Sequence, residues 1–472
     1  MKYLPRASEI PLERPTPPAF EAQQFWYSRR AAFHVVVLFL FIAQTIALLI
    51  PPFQSDNESE HLKRAYLLSK GEIFSRTVEG ITGGDIDTGL LEYMESFEDI
   101  RFNYDHKITR TVVRSTRDIT WSGRREFRPF PNTSFYFPLP YIPQATAFAI
   151  GERCRMTVRE SYYLARTLSL LATLALVYAA FVTFPMPLMV LAALSLPMSL
   201  FQIGSASLDS VTFGMAVLTG ALFMRGANVS MSFPWYMHGA IAVCIWWLAT
   251  SRTNLFALTP LLAILFLYRR SRSYFISASI VAVLSIAWIA YALATVKGVP
   301  PRQASTQEII QYYLIGHGSF ARVLFATVTN VEILKSYWRM FVGVVGWIDL
   351  PLGSGVYVGF AILLLALAAI CVGVRPRSTI LKGTTPLLCS VIASVLLLFF
   401  LFLVTYNQHP TNFIDGIEGR YFITPLILTA YALFSRRLGS AELRIGLCLV
   451  SMMILLAIVG MVPRLLGRYW MT

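Results

Sequence analysis

Residues 31–66 decide the fold: "AAFHVVVLFLFIAQTIALLIPPFQSDNESEHLKRAY". The first part, residues 31–50, is a continuous apolar run, and it reaches the roughly 20 residues that a helix needs to cross a bilayer. The run is too long for a signal-peptide core, and no small-residue cleavage motif follows it. We therefore predict a retained first span with a cytoplasmic N-terminus. Directly after this span the chain carries Asp56, Glu58, Glu60 and His61.

The composition extends this interpretation to the whole chain. Of the 472 residues, 56% are hydrophobic and only 14% are charged, whereas soluble proteins have about 25% charged residues. Further apolar runs of span-like length follow the first one. The chain is predicted to be an all-α integral membrane protein with about eleven spans, at 31–50, 161–184, 187–204, 210–225, 234–250, 254–268, 275–295, 355–373, 386–405, 420–434 and 444–462.

The spans define a transmembrane domain over 29–462, with a Pro-rich cytoplasmic tail at 1–28. The polar regions at 51–160, 296–354 and 406–419 are predicted to be extracytoplasmic, as is the tail at 463–472. In the first of these loops, "YFPLPYIPQATAFAIGERC" is too short to cross a bilayer comfortably, which favours an interfacial or re-entrant helix.

The net charge of +14 is explained by topology. Lys and Arg collect in the short connections, as the positive-inside rule requires of cytoplasmic loops, so no nucleic-acid partner is expected. These connections carry Arg225, Arg269, Arg270, Arg272, Arg375, Arg377, Lys382, Arg436, Arg437 and Arg444. The five cysteines form no CxxC pair, and neither a zinc site nor a disulfide framework is indicated.

The acids after the first span have two interpretations. Ser55 or Asn57 can cap a helix whose positive N-terminus suits acidic residues, and Glu58 and His61 then share one helix face. Alternatively, a carboxylate here is a general base at the membrane surface, alone or with a metal, because charged groups at the lipid boundary are costly and tend to be functional.

Other unusual charges lie at span ends on the same predicted outer side. Asp209 in "IGSASLDSVTF" is either a helix cap or a second acid. Arg252 is outside against the positive-inside trend, where it can reach lipid headgroups or hold a phosphate. "NFIDGIEGRYFITPL" adds Asp415, Glu418 and Arg420, and "GVVGWIDLPLGSG" adds Asp349. Together they predict a reaction or binding event at the outer leaflet, on a lipid-linked substrate.

Four segments resemble one protein family. "PPFQSDNESEHLKRAYLLSKGEIF" looks like the signature after the first span of an uncharacterised (domain-of-unknown-function) family of bacterial multi-spanning membrane proteins in the GT-C glycosyltransferase superfamily. The family pattern is roughly P-P-x-x-x-P-D-E-P-x-H-x-x-R-A-Y. It places Glu58 on the family's Glu, His61 on its His and Arg64-Ala65-Tyr66 on its R-A-Y.

The other three segments match later motifs of that family. "FYFPLPYIPQATAFAIGE" resembles Y-x-P-L-x-Y-x-P-Q, "SASLDS" resembles a second acidic motif, and "DGIEGRYFITPL" resembles G-x-Q-G-R-Y-x-x-P-L. Two departures from the pattern bear on the site. Glu418 stands at the usual Gln, and Asn57 stands at the family's Asp while Asp56 lies one place earlier.

The resemblance implies a GT-C fold in a bacterial cytoplasmic membrane, with inverting sugar transfer on the outer face. The donor would be a polyprenyl-phosphate-linked sugar, and the acceptor an envelope glycan, lipid or protein. Asp56 or Glu58 would act as base, with Asp209 as the second acid, while Arg252 and Arg420 would stabilise the departing phosphate. The remaining substrate-binding candidates are His61, Arg64, Tyr66, Asp349, Glu418 and Tyr421.

No cofactor is indicated with certainty. If the enzyme uses Mg²⁺ or Mn²⁺, the expected ligands are Asp56, Glu58, His61 and Asp209. Two other functions stay open: a transporter or flippase of lipid-linked glycans, and a non-catalytic envelope scaffold. The transporter interpretation is weakened because the sequence shows no internal repeat and few charges within its spans.

Overall fold

A computed structural model describes residues 28–298, 304–316, 319–372, 383–434 and 438–471. The predicted tail at 1–28, Ser28 apart, lies outside these residues, and so do Arg375, Arg377, Lys382, Arg436 and Arg437. The longer helices in chain order are α1 (Arg29–Leu49), α2 (Glu58–Ser69), α3 (Thr88–Glu95), α4 (Ile142–Arg153), α5 (Val158–Thr183), α6 (Leu208–Ala227), α7 (Trp235–Ser251), α8 (Pro260–Arg269), α9 (Arg272–Thr295), α10 (Thr306–Leu314), α11 (Phe320–Thr329), α12 (Val331–Gly343), α13 (Ser354–Val372), α14 (Thr384–Thr405), α15 (Ile423–Phe434) and α16 (Ser440–Tyr469).

Seven of the described helices are long and apolar enough to cross a membrane, namely α1, α5, α6, α9, α13, α14 and α16. Their lengths range from 19 residues in α13 to 30 in α16, and their mean hydropathy reaches 3.0 in α14. The protein is therefore a mostly helical, multi-pass membrane protein, as the sequence predicted.

The other four predicted spans are shorter or interrupted, so the expectation of eleven full spans is corrected to seven among the described residues. The run at 187–204 divides into Leu188–Leu194 and Pro197–Ile203, because Pro197 lacks an N–H and disfavours helical backbone at Leu196. Helix α7 has 17 residues. Tight 3₁₀ turns at Thr253–Leu258 and Gly419–Phe422 precede α8 and α15.

The region between α1 and α5 holds α2, α3, α4 and a small antiparallel sheet. The sheet has the order β1 (Arg76–Val78), β2 (Ile81–Asp87) and β3 (Arg125–Pro129), and Gly83 lies opposite both Arg76 and Pro129. The short apolar segment expected to be interfacial forms α4, which packs against α2 and α5. The sequence did not predict the sheet, since "ITGGDID" lacks an apolar alternation.

Helix α16 is longer than expected. It continues through Pro463 to Tyr469, whereas the span was predicted to end at residue 462. Two hydrogen bonds hold the C-terminal end of α16. The Ile108 N–H, from the region between α1 and α5, donates to the Tyr469 carbonyl (2.8 Å), and Trp470 Nε1 donates to the Leu49 carbonyl at the end of α1 (2.8 Å). The end of the described chain is thus attached to the end of α1.

Candidate functional site

A tight turn joins α1 to α2 and positions the first two acids. Pro51 and Pro52 follow α1, and Phe53 and Asn57 adopt positive φ angles of 61° and 58°. Asn57 occupies the N-cap position of α2 but makes no capping bond there. Instead its Nδ2 donates to Asp56 Oδ2 at 2.8 Å. The expected capping role of Asn57 is thus replaced by a contact that orients Asp56.

Glu58 is fully buried and bound to Arg166 of α5. Arg166 Nε donates to Oε1 (2.9 Å) and Nη2 to Oε2 (2.8 Å), a bidentate pair. The Ala206 N–H donates to Oε1 (2.8 Å) and the Tyr162 hydroxyl to Oε2 (3.1 Å). Two ionised carboxylate oxygens offer about four acceptor sites, so those of Glu58 are all occupied.

Arg166 is equally saturated. Its remaining N–H groups donate to the carbonyls of Ala47 (2.9 Å), Ile50 (2.7 Å) and Pro51 (3.2 Å). All five guanidinium donors are therefore used. The pair stabilises the exit of the chain from α1 by binding the carbonyls that the helix end leaves without partners. This arrangement is that of a structural ion pair.

A second group of charges lies at the ends of other helices and in the turn after α1, and we call it the carboxylate–guanidinium cluster. It consists of Asp56, Asp209, Glu418, Arg252 and Arg420. Arg420 is its centre: Nη2 lies 2.5 Å from Asp56 Oδ2, and Nε lies 2.5 Å from Glu418 Oε2 and 3.7 Å from Asp209 Oδ2. Arg252 Nη2 forms an ion pair with Asp209 Oδ1.

Local structure explains how these side chains meet. Asp209 lies in the first turn of α6, where the helix dipole favours an anion. Arg252 follows the last residue of α7, and Arg420 lies in the 3₁₀ turn before α15. The Tyr421 ring adjoins both cations, with its centroid 4.4 Å from Arg252 Cζ and 5.6 Å from Arg420 Cζ. An aromatic face so placed stabilises cations.

His61 adjoins the cluster in its neutral form. Its Nδ1 lies 2.8 Å from the Tyr141 hydroxyl, and its ring stacks on Tyr136 with centroids 6.2 Å apart. Burial lowers the pKa of His61 to about 3; Asp209 opposes this shift, and the two cluster arginines add to it. His61 is therefore a hydrogen-bonding group at neutral pH, not a charge carrier.

The pKa of Glu418 is shifted in the opposite direction. Burial raises its pKa, Arg420 opposes that effect, and Asp56 adds to it because two neighbouring carboxylates disfavour double ionisation. A proton on Glu418 would leave two acids facing two arginines, which is a balanced charge set.

Asp56 differs from Glu58 in what its oxygens contact. Oδ2 is bound by Arg420 and Asn57, while Oδ1 has no hydrogen bond within the ranges that the structure describes. Asp56, Glu418 and Arg420 line a crevice of about 10 Å³, which is near the lower limit for holding one water molecule. The other lining residues are mostly apolar: Met198, Phe201, Met340, Val344, Gly346 and Ile348, with Gln202 as the one further polar side chain among the described residues.

Three predicted site residues lie elsewhere. Tyr66 stacks on Trp121 with centroids 5.8 Å apart, in the core beneath the sheet. Asp349 accepts from the Trp347 N–H (2.9 Å) and pairs with Arg468 at 3.4 Å. Arg64 is buried and donates to the Ile73 carbonyl (2.7 Å), with Nε and Nη1 unpartnered.

Arg166, Tyr141 and Tyr136 were not among the residues predicted to form the site. Arg166 had a detectable signal, since it is a charged residue inside the apolar run of the second predicted span, where such a residue usually has a specific partner. The two tyrosines also had a signal, since they occupy both Tyr positions of the Y-x-P-L-x-Y-x-P-Q motif that residues 136–144 resemble.

The four residues expected to hold a metal do not form a ligand set as placed. Glu58 is saturated by Arg166 and its neighbours, while Asp56 and Asp209 are bound by arginines. In the part of the chain that the structure describes, no group of three or more His, Cys, Asp or Glu side chains converges on one point.

The fold and this cluster define a multi-pass membrane protein with a buried, ionised site at one end of its helices. The chain belongs to the family described as "Predicted membrane protein (DUF2142)", whose family model matches residues 38–430. The match includes every residue of the carboxylate–guanidinium cluster. Neither the curated proteins nor the solved structures include a match to the chain.

Proposed function

We propose that the protein is a GT-C-type glycosyltransferase. It would transfer a sugar from a polyprenyl-phosphate donor to an envelope glycan, lipid or protein, with inversion, on the outer face of a bacterial cytoplasmic membrane. The N-terminus would be cytoplasmic. The observation that supports this most is the convergence of three acids and two arginines, brought from distant parts of the sequence to helix ends on one side.

Asp56 is our candidate for the general base. Its Oδ1 is available and it lines the crevice, while Glu58 has no acceptor site left. In the reaction, the acceptor hydroxyl gives its proton to Asp56 and its oxygen bonds to the anomeric carbon. The bond from that carbon to the phosphate oxygen breaks, and the polyprenyl phosphate departs with the electron pair.

The leaving group is an anion that must be stabilised as the bond breaks. Arg252 and Arg420 lie where a phosphate at the outer ends of α6, α7 and α15 would meet them, and they are held in place by Asp209 and Tyr421. Such fixed charges contribute more than mobile ones because they need no reorganisation during the reaction.

Glu58 and Arg166 take a positioning role in this scheme. Arg166, held by Glu58, donates to the carbonyls of Ile50 and Pro51 and so fixes the turn that carries Asp56. The crevice is too small for a sugar, so substrate binding must separate Arg420 and its neighbours from the wall formed by residues 344–348.

The transporter and scaffold interpretations account less well for the cluster. A transporter needs a charged path reaching both membrane faces, and the cluster lies at one end of the helices only. A scaffold has no need for an acid whose free oxygen faces a crevice.

The test is a glycan comparison in the native bacterium. Envelope glycans are analysed by mass spectrometry after gene deletion and after complementation with wild type, Asp56→Asn or Asp415→Asn. Asp415 is an exposed acid of the same outer loop as Glu418 and serves as the matched control. We expect a missing sugar that wild type and the control restore and Asp56→Asn does not. Unchanged glycans on deletion would refute the proposal.

A further inference from the structure

A second cavity, larger than the crevice, lies beside it, mostly within the region between α1 and α5. It has a volume of about 230 Å³. Its walls come from the turn after α1 (Phe53 and Gln54), from α2, from the segment that includes α3 and the residues after it, and from Trp347. None of the residues predicted from sequence to form the site lines it.

The two cavities share two walls. Gln54 lines the larger cavity, and Asp56, two residues on, lines the crevice. Likewise Trp347 lines the larger cavity, while Gly346 and Ile348 line the crevice. Trp347 Nε1 donates to the Phe53 carbonyl at 3.1 Å and joins the two walls. A molecule in the larger cavity is therefore separated from Asp56 only by this turn.

Gln54 lines the cavity, and its side-chain oxygen has no hydrogen-bond partner among the described residues. The side chain is buried, with 1% exposed. Its Nε2 donates to the Phe97 carbonyl at 3.0 Å, but its Oε1 is buried and has no partner among the described residues. Leaving a buried acceptor unpaired is costly, and a rotation of the Gln54 side chain toward the cavity would let a ligand hydroxyl satisfy it.

The charges around the cavity balance. Three acids and three bases line it: Glu60, Glu95, Glu98, Lys63, Arg101 and Arg128. Lys63 pairs with Glu60 at 2.8 Å and Arg128 with Glu95 at 3.1 Å, and Arg101 covers the Trp347 ring at 3.5 Å. No net charge is left to attract an ion, whereas many donors and acceptors remain beside aromatic surfaces.

We propose that this cavity is the acceptor subsite and that it takes a neutral sugar unit. The inference rests on the proposed function, since it names the class of acceptor for the same site. Many hydrogen-bonding groups without net charge suit a polyhydroxylated ring, and the volume suits a single unit better than a long glycan. For transfer, the turn of residues 53–56 would move so that the reacting hydroxyl, which stays attached to the bound sugar, reaches Asp56.

The test measures binding without any donor. The full chain in lipid nanodiscs is mixed with the methyl glycosides of glucose, galactose, mannose and rhamnose, and separately with methyl glucuronide, and saturation-transfer NMR reports the bound sugar. We expect at least one neutral glycoside to bind and the glucuronide to bind at least fivefold more weakly. Binding of no neutral glycoside, or equal binding of the glucuronide, would overturn the proposal.

Two cavity variants locate the binding. Gln54→Met removes the acceptor at similar size, and Glu60→Gln breaks one ion pair of the wall on a partly exposed residue that tolerates the change. The matched control is Glu332→Gln, because Glu332 and Lys335 form the same kind of pair at the same 2.8 Å distance far from the cavity. Each cavity variant should weaken neutral-glycoside binding at least fivefold while the control does not.

The outcome separates this inference from the proposed function. Neutral-sugar binding that depends on Gln54 and Glu60, in a protein whose deletion leaves envelope glycans unchanged, would refute transfer and retain the sugar site. Sugar transfer with unaltered binding in both cavity variants would retain the enzyme and refute this subsite.

Discussion

Arg420 and Asp56 lie 364 positions apart in the sequence, yet Nη2 of the one is 2.5 Å from Oδ2 of the other. The contact joins the turn after the first membrane helix to the 3₁₀ turn before α15. It places a carboxylate with one unbound oxygen against a cation that also reaches Asp209 and Glu418. Substitutions at these positions separate the chemical role of the groups from their structural role.

Asp56→Asn should lower sugar transfer by about 10²–10⁴-fold, the usual contribution of a general base. The amide keeps the size and the hydrogen bonds but cannot take a proton from the acceptor. The measurement is transfer rate in nanodiscs with a defined donor, and Asp415→Asn should match wild type. Full activity in Asp56→Asn would exclude Asp56 as the base.

Glu58→Ala should destabilise the protein by about 3–5 kcal/mol, because it leaves the buried Arg166 charge without its partner. The free energy of unfolding is measured by SDS titration in mixed micelles. Adding Arg166→Met should recover part of the loss. Glu152→Ala, which breaks the partly exposed pair with Lys70, should cost only about 0–1 kcal/mol. Equal losses for the two single variants would argue against a structural role for Glu58.

Glu418→Gln should raise stability at neutral pH relative to wild type. The pKa of Glu418 is higher in the folded protein than when unfolded, so the folded state holds the proton more tightly. Wild-type stability therefore falls as pH rises from the ordinary pKa of a glutamate through the raised value, and it then levels off. The amide has no such loss. Thermal unfolding from pH 4 to 8 measures the difference, and a constant gap between the two proteins would contradict the prediction.

His61→Gln should reduce the acid sensitivity of the fold. Because the pKa of His61 falls to about 3 on folding, the unfolded state binds more protons between that value and 6.5. The associated stability is complete above pH 6.5 and is lost as pH falls toward 3. The variant should lose less stability than wild type across that window, measured by thermal unfolding in the same detergent. An identical acid dependence would mean that His61 is not buried as described.

Much of the arrangement could be predicted from the sequence. Asp56, Asp209, Arg252 and Arg420 each lie within a few residues of an apolar run, and alternating topology places those ends on one side. Glu418 lies in the same loop as Arg420 and was predicted with it. Membrane-length runs are read reliably because the hydrocarbon core demands a continuous apolar stretch.

The partners within the site could not be predicted in the same way. Glu58 and Asp56 are adjacent in sequence and equivalent in charge, and only the conformation of one turn sends one to Arg166 and the other to Arg420. Positive φ angles at Phe53 and Asn57 set that conformation, and the sequence alone does not indicate where these angles occur. The break at Leu196, by contrast, had a local signal in Pro197.

The saturation of Glu58 by Arg166 has an evolutionary consequence. Under the proposed function, a duplicated gene that lost Asp56 would lose the general base and keep the Glu58–Arg166 pair, whereas one that lost Glu58 would leave the buried Arg166 without its partner and lose the fold as well. The glutamate of the first-loop motif therefore indicates an intact fold. The residue at position 56 indicates whether a chain can carry out the proposed transfer.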